Sequence, residues 1–285
     1  MEFYNALRIL GLRYYLYSSG LPDHTIAAII VASVILLMAA AYALGGLNFA
    51  IIVSKKKFGT DVRNFGSGNA GMTNMRRTFG KKAGFIVLGG DAAKTFVSCL
   101  LGYLLLGRLG AFIAGLFCMV GHMFPIKYKF KGGKGVVCAA VAILMTDVGK
   151  PNMYFIPILF IILFAIFVFI VLSTKYVSLA SIMTMALYPV FLYSFEFLGR
   201  SAEEIAMDIR NFEMGMYIII AFLMSAIVIF MHRQNISRLW QGKESKFELH
   251  MSDKKALYNE ENAKDGEGEI QDSKKAQSKS KKSKK

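Results

Sequence analysis

The sequence predicts an all-α polytopic integral membrane protein with about seven transmembrane helices, and two observations carry that expectation. Over half of the residues are hydrophobic and the mean hydropathy is positive. The apolar residues also come in long runs, not in the alternation of a soluble core.

A helix needs roughly 17 to 25 apolar residues to cross a bilayer. Runs of that kind are read at Ile26–Val53, Ala83–Leu106, Gly110–Phe124, Val136–Val148, Met153–Leu172, Val177–Leu198 and Met214–Met231. The third and fourth are short, as expected of spans that break or end inside protein. Residues 1–25 have neither a basic start nor a small-residue cleavage site, so they are expected to be an extracytoplasmic segment and Ile26–Val53 a retained span. The connection from Ser54 to Lys82 carries eight lysines and arginines against Asp61, and Lys127 to Lys134 is also strongly basic, which places both on the cytoplasmic side. The connection from Glu196 to Glu213, with Glu203, Glu204 and Asp208, is acidic and falls on the other side. The N-terminus is then outside and the C-terminus inside. The membrane-embedded domain is expected over 26–245, followed by a basic cytoplasmic tail, 246–285, whose Lys/Ser composition predicts disorder. That tail is either solvated or drawn to anionic lipid.

The net charge of +15 does not point to nucleic acid, because the basic residues lie beside the spans and in the tail. Membrane lipid and an anionic substrate are the expected partners. Cys99, Cys118 and Cys138 sit in apolar runs without paired spacing, which indicates packing residues and neither a disulfide framework nor a zinc site. The scattered Asp, Glu and His residues offer no ligand set, so no metal and no cofactor are expected.

Polar motifs fall at or near one membrane face. In Phe124–Gly135, glycines allow backbone N–H groups to converge on an anion and lysines add charge, which suits phosphate. Gly66-Ser67-Gly68-Asn69-Ala70-Gly71 fits a dinucleotide fingerprint by letter, but follows a span and a basic stretch where a β-strand is required, so that reading fails. What stands is a glycine-rich turn with Ser67, Asn69, Thr73 and Asn74 as hydrogen-bonding groups and Arg76 and Arg77 as cations, or else an ordinary polar connector. Asp91 and Lys94, three apart on one helix face within a span, form a substrate site or a structural ion pair. His122 and His232 close spans on the same face, and His232 shares a helical face with Asn235 if the seventh span continues past the interface.

Together these residues resemble the bacterial acyl-phosphate:glycerol-3-phosphate acyltransferase family. The resemblance runs from about Tyr42 to Lys246. It rests on Phe65 to Asn74 with Arg77, on Asp91 and Lys94, on Gly121 to Pro125 with Phe130 to Gly135, on Tyr176 to Leu179, and on His232 to Leu239 with Gly242-Lys243-Glu244. Met72, Thr95, Val137-Cys138 and Gly46-Leu47-Asn48 depart from the family pattern, as does the Lys/Ser tail. The family implies transfer of a fatty acyl group from acyl phosphate to the sn-1 hydroxyl of glycerol 3-phosphate, giving 1-acylglycerol 3-phosphate and phosphate, the first step of phospholipid synthesis. It implies a multi-pass protein of the bacterial plasma membrane with its active site facing the cytoplasm.

On this resemblance Ser67, Arg77, Lys134, His232 and Asn235 are the catalytic candidates. Gly68, Asn69, Thr73, Asn74, Asp91, Lys94, His122, Gly132, Gly133, Gly135, Ser178 and Glu244 are the substrate-binding ones. The difficulty in such a reaction is electrostatic, since two phosphates repel each other and fixed cations must offset that repulsion. None of the four histidines has an aspartate at H-x-x-x-x-D spacing, the mark of many other glycerolipid acyltransferases. Either a substrate phosphate takes the proton while His232 and Asn235 position glycerol phosphate, or His232 is the base. A transporter of a phosphorylated solute is the alternative function, and the lack of internal duplication speaks against it. Oligomeric state is not readable from the sequence.

Overall fold

The structure, a computed structural model, describes residues 12, 16, 18–148, 157–198 and 208–247. Glu203 and Glu204, the beginning of the Met153–Leu172 run, most of the segment before Ser18 and the tail from residue 248 lie outside the described residues. Among the described residues no strand occurs. The helices are α1 (Asp23–Gly45), α2 (Phe49–Phe58), α3 (Met72–Phe79), α4 (Lys81–Met123), α5 (Val136–Val148), α6 (Ile158–Thr174), α7 (Val177–Leu198), α8 (Asp208–Met231) and α9 (Arg233–Trp240). Among the described residues four stretches are long and apolar enough to cross a membrane: Asp23–Phe58, Lys81–Tyr128, Val177–Phe197 and Phe212–Met231. Val136–Asp147 and Ile158–Thr174 are shorter apolar helices. The described residues form two compact units, 18–47 with 91–247, and 48–90.

The run read as one span over Ile26–Val53 is broken. α1 stops at Gly45, where a Cβ would overlap the backbone of Cys118, and Asn48 starts α2 by accepting the Ile51 amide at 3.1 Å. Lys55, Lys56 and Lys57 complement the C-terminal end of α2, and Gly59 closes it with φ of 68°.

In the larger unit, α4 is a hairpin of two helical halves. Leu106 (φ −129°) and Gly107 (φ 67°, ψ −152°) leave helical geometry, and only glycine takes the second conformation cheaply. This break falls in the gap between the two sequence-predicted spans. A Cβ on Gly102 or Gly110 would strike the other's carbonyl, so the halves meet backbone to backbone beside the turn. Cys99 opposite Gly115, Thr95 opposite Cys118 and Lys94 opposite His122 continue the antiparallel pairing. The hairpin thereby carries Asp91, Lys94 and His122 to its open end. Around its second half, α5, α6, α7 and α8 pack through residues such as Phe112, Met119, Ile143, Leu163, Tyr188 and Met224.

Near the hairpin turn, Arg108 bonds Glu196 at 2.8 Å, donates to the Thr146 carbonyl at 2.7 Å and lies over the rings of Phe112 and Tyr217. Glu196 is therefore not part of an exposed acidic connection. It is buried in α7, paired with a cation 88 residues earlier in the chain.

Candidate active site

In the smaller unit, the glycine turn is organised by Asn74. Its side-chain oxygen accepts the Ser67 amide at 3.0 Å, and its Nδ2 donates to the carbonyls of Val62 (3.1 Å) and Phe65 (2.9 Å). Gly66 and Gly68 take φ of 57° and 69°, and a Cβ on Gly66 would collide with the Asn74 oxygen. The Asn74 side chain is thus engaged with the loop backbone on both its oxygen and its nitrogen. Ser67, Gly68 and Thr73 are exposed, and Asn69 and Arg77 half-buried. Arg76 is buried, with Gly84 pressed against its Cβ position. At the base of this unit Arg63 bonds both carboxylate oxygens of Asp61 at 2.9 and 2.7 Å. Burial opposes the Asp61 charge, but the Arg63 bonds and charge, with Lys55, outweigh it and hold the carboxyl at about 2.

In the larger unit two networks adjoin. The first is closed. Lys94 Nζ lies 2.7 Å from Asp91 Oδ1, 3.0 Å from the Gly45 carbonyl, 2.9 Å from that of Leu47 and 2.9 Å from His122 Nδ1. All three side chains are buried. The ammonium satisfies carbonyls that the broken end of α1 leaves without helical partners. An ammonium has three donors, so this one has none to spare for a phosphate.

The Phe124–Gly135 loop joins this network to the second. The amides of Gly132 and Gly133 donate to the carbonyls of Met123 and His122 at 3.0 and 3.1 Å. These two donors cap the end of α4. Glycine is required at 132 because a Cβ would overlap the His122 carbonyl, and at 135 because φ is 74° beside Met123. The Tyr42 hydroxyl ties α1 to the same loop by donating to the Phe124 carbonyl at 2.6 Å.

The second network begins at Lys134, which donates to Asn235 Oδ1. Asn235 Nδ2 donates to Glu244 Oε1 at 2.6 Å; Ser178 donates to the same oxygen at 2.7 Å, and Arg238 to Oε2 at 2.7 Å. Gly242, with φ of 65°, turns the chain after α9 so that Glu244 returns beneath Asn235. Burial works against the Glu244 charge, yet the bonds from Asn235, Arg238 and Ser178 and the Arg238 charge prevail, and its carboxyl stays below the usual range.

His232 does not continue the preceding helix. It stands between α8 and α9 with φ of −93°, and both it and Asn235 are buried. Its Nδ1 is 2.8 Å from the Val228 carbonyl. A carbonyl only accepts, so Nδ1 carries the proton and Nε2 keeps its lone pair. Burial pushes the imidazole down to about 4, with Lys134 acting the same way against the Val228 bond and Glu244. Arg238, which was not singled out from the sequence, belongs to this network; its place three residues after Asn235 on α9 was the available signal.

The glycerol-3-phosphate acyltransferase family profile matches residues 35–242. The glycerol-3-phosphate acyltransferase of Exiguobacterium sibiricum is 38% identical over 216 residues, covering 75% of this chain and 93% of that protein. That of Finegoldia magna is 35% identical over 205 residues, covering 72% and 91%. The crystal structure of PlsY (YgiH), an integral membrane glycerol 3-phosphate acyltransferase, in its glycerol 3-phosphate form superposes with a TM-score of 0.63 at 32% identity, covering 76% of this chain and 96% of that one. Its lysophosphatidic acid form gives 0.60 at 30% identity. The profile match takes in the first network whole and the second up to two residues short of Glu244, and the chain belongs to the glycerol-3-phosphate acyltransferase family.

Proposed function

We propose that this chain transfers a fatty acyl group from acyl phosphate to the sn-1 hydroxyl of glycerol 3-phosphate, releasing 1-acylglycerol 3-phosphate and inorganic phosphate. The observation that carries the reading is the Lys134–Asn235–Glu244 chain beside a neutral His232. A half-buried ammonium is oriented by an amide, which is itself fixed by a carboxylate held from three sides.

The hydroxyl oxygen attacks the acyl carbonyl carbon, and the carbon–oxygen bond to phosphate breaks as the tetrahedral intermediate collapses. Lys134 offsets negative charge on the phosphate. His232 Nε2 accepts a hydrogen bond from a glycerol hydroxyl and positions it; with the imidazole held near 4, a substrate phosphate oxygen is the better proton acceptor. Ser67, Gly68 and Thr73, which are exposed, and Asn69 and Arg77, which are half-buried on the same turn and helix, are assigned to substrate contact. Asn74, Asp91, Lys94, His122, Gly132, Gly133, Gly135, Ser178 and Glu244 are assigned to positioning, by the bonds and close approaches described above.

We place seven spans across a bacterial plasma membrane, N-terminus outside, with both networks facing the cytoplasm and the acyl chain arriving laterally from the inner leaflet. The two halves of α4, the short α5 and α6, and the charge of the 54–82 connection support this arrangement. Purified protein incubated with palmitoyl phosphate and labelled glycerol 3-phosphate is expected to yield lysophosphatidic acid. Folded protein that forms no product, but moves labelled glycerol 3-phosphate across a vesicle membrane, would establish the transporter instead.

A further inference from the structure

The turn from Ile126 to Lys131 presents apolar side chains outward although its backbone is well ordered by hydrogen bonds. Tyr128 N and Phe130 N both donate to the Pro125 carbonyl at 3.0 Å, Lys129 N to that of Ile126 at 3.1 Å, and Lys131 N to that of Tyr128 at 3.2 Å. Lys129 and Phe130 take φ of 56° and 58°, a left-handed conformation that side chains other than glycine rarely adopt. Two consecutive residues held there need surrounding bonds to fix them, and these four supply that. The result leaves Ile126 66% and Phe130 60% exposed, with exposed Lys127, Lys129 and Lys131 interleaved.

Chain length sets the depth of this turn. Ile126 comes three residues after Met123, the end of α4, so even a fully extended backbone places it within about 11 Å of that end. On the other side, α5 begins six residues after Phe130. A headgroup layer is roughly 5–8 Å deep on each side of the hydrocarbon core. Where α4 and α5 end at the edge of the hydrocarbon core, a turn tethered this closely to both stays within a few ångströms of that layer, and its internal bonds lower the cost of irregular backbone near lipid. Large apolar side chains belong at the acyl boundary, and lysine stems reach from there to negative headgroups.

We propose that the Ile126–Lys131 turn is a membrane-interface anchor, with Ile126 and Phe130 seated at the headgroup–acyl boundary and Lys127, Lys129 and Lys131 holding anionic phospholipid headgroups. Such a surface needs only that α4 and α5 enter a bilayer, whichever reaction the site performs. It also ties the loop bearing Lys134 to the charge of the surrounding lipid.

The single tryptophan of the chain, Trp240, allows a clean test. A Trp240→Phe, Phe130→Trp protein is reconstituted into phosphatidylcholine vesicles and into vesicles that also contain phosphatidylglycerol, with brominated acyl chains as quenchers. The expected emission is blue-shifted and quenched, about twofold more strongly with phosphatidylglycerol at low salt. High salt or the pair Lys127→Glu and Lys129→Glu should abolish that difference. Water-like, unquenched emission overturns the anchor. Quenching that ignores lipid charge overturns the anionic-lipid part, and blue-shifted emission without quenching means that protein, not lipid, covers the turn. Ile126→Trp is a second reporter should Phe130→Trp fail to fold, with the thermal unfolding midpoint as the folding control.

Discussion

Asp91–Lys94–His122 and Lys134–Asn235–Glu244 are both charged networks carried at the same end of the larger unit, and both meet at His122 and the loop that follows it. They differ in closure. Lys94 is 5% exposed and has four polar neighbours within 3.0 Å, whereas Lys134 is only half-buried and is aimed by an amide. A charge inside a membrane protein is therefore not by itself a substrate contact. What decides is whether the protein's own acceptors consume its donors.

The largest effect that can break this contrast is expected at Lys94. Lys94→Met strands the Asp91 carboxylate and two carbonyls in a buried site, and losing one partner of such a pair destabilises by about 3–5 kcal/mol. Thermal unfolding in detergent should show the loss, and pairing the change with Asp91→Leu should recover part of it. A Lys94→Met protein with an unchanged midpoint and no acyl transfer would mean that the closed network faces substrate after all.

Lys134→Ala should do the reverse. The unfolding midpoint is expected to stay near wild type, while kcat falls about 10²–10³-fold, the usual loss for a fixed group that offsets transition-state charge. Steady-state assays with palmitoyl phosphate would check it. A fall confined to KM would place Lys134 in ground-state binding alone.

Much of this contrast was legible in the sequence, and the unread part has a physical reason. Asp91 and Lys94 announce themselves because two charges at helical spacing within an apolar run need an explanation, and the gap before Gly110 marked the hairpin turn. For the glycine loop, composition gives conformational freedom but not direction; Gly132 and Gly133 point their amides back at α4. The Arg108–Glu196 pair was invisible, because residues 88 apart meet only through helix packing. The break at Gly46 to Asn48 was missed because hydropathy continues across it, while the cap depends on one side chain, Asn48.

A smaller effect distinguishes positioning from base catalysis at His232. Its folded value of about 4 lies below the ordinary 6.5, so the unfolded chain binds the proton first on acidification. The stability contributed by the neutral imidazole is full above 6.5 and is lost as pH falls from there toward 4. His232→Gln removes that dependence, so the variant should lose less stability than wild type across this window when unfolding midpoints are followed against pH. In the assay, a rise in KM with kcat and its pH profile retained supports positioning; collapse of kcat with loss of an inflection supports the base.

The smallest expected effect lies at Arg238, on the rim of the open network. Glu244 is held by three donors, and the Arg238 side chain is 35% exposed, so its bond is worth about 0.2–1 kcal/mol, less than about sixfold in rate. Removing it in Arg238→Gln lets the Glu244 carboxyl rise toward its ordinary value, because one of the groups opposing burial is gone. Glu244 orients Asn235 as a carboxylate, a state present above its folded value and lost as pH falls through it. The acid limb of the activity profile should therefore move to higher pH, with little change at neutral pH. Salt should diminish the difference between the variant and wild type, since a half-exposed pair is screened. A loss above tenfold at neutral pH, insensitive to salt, would place Arg238 against substrate and extend the open network outward from Lys134 along α9.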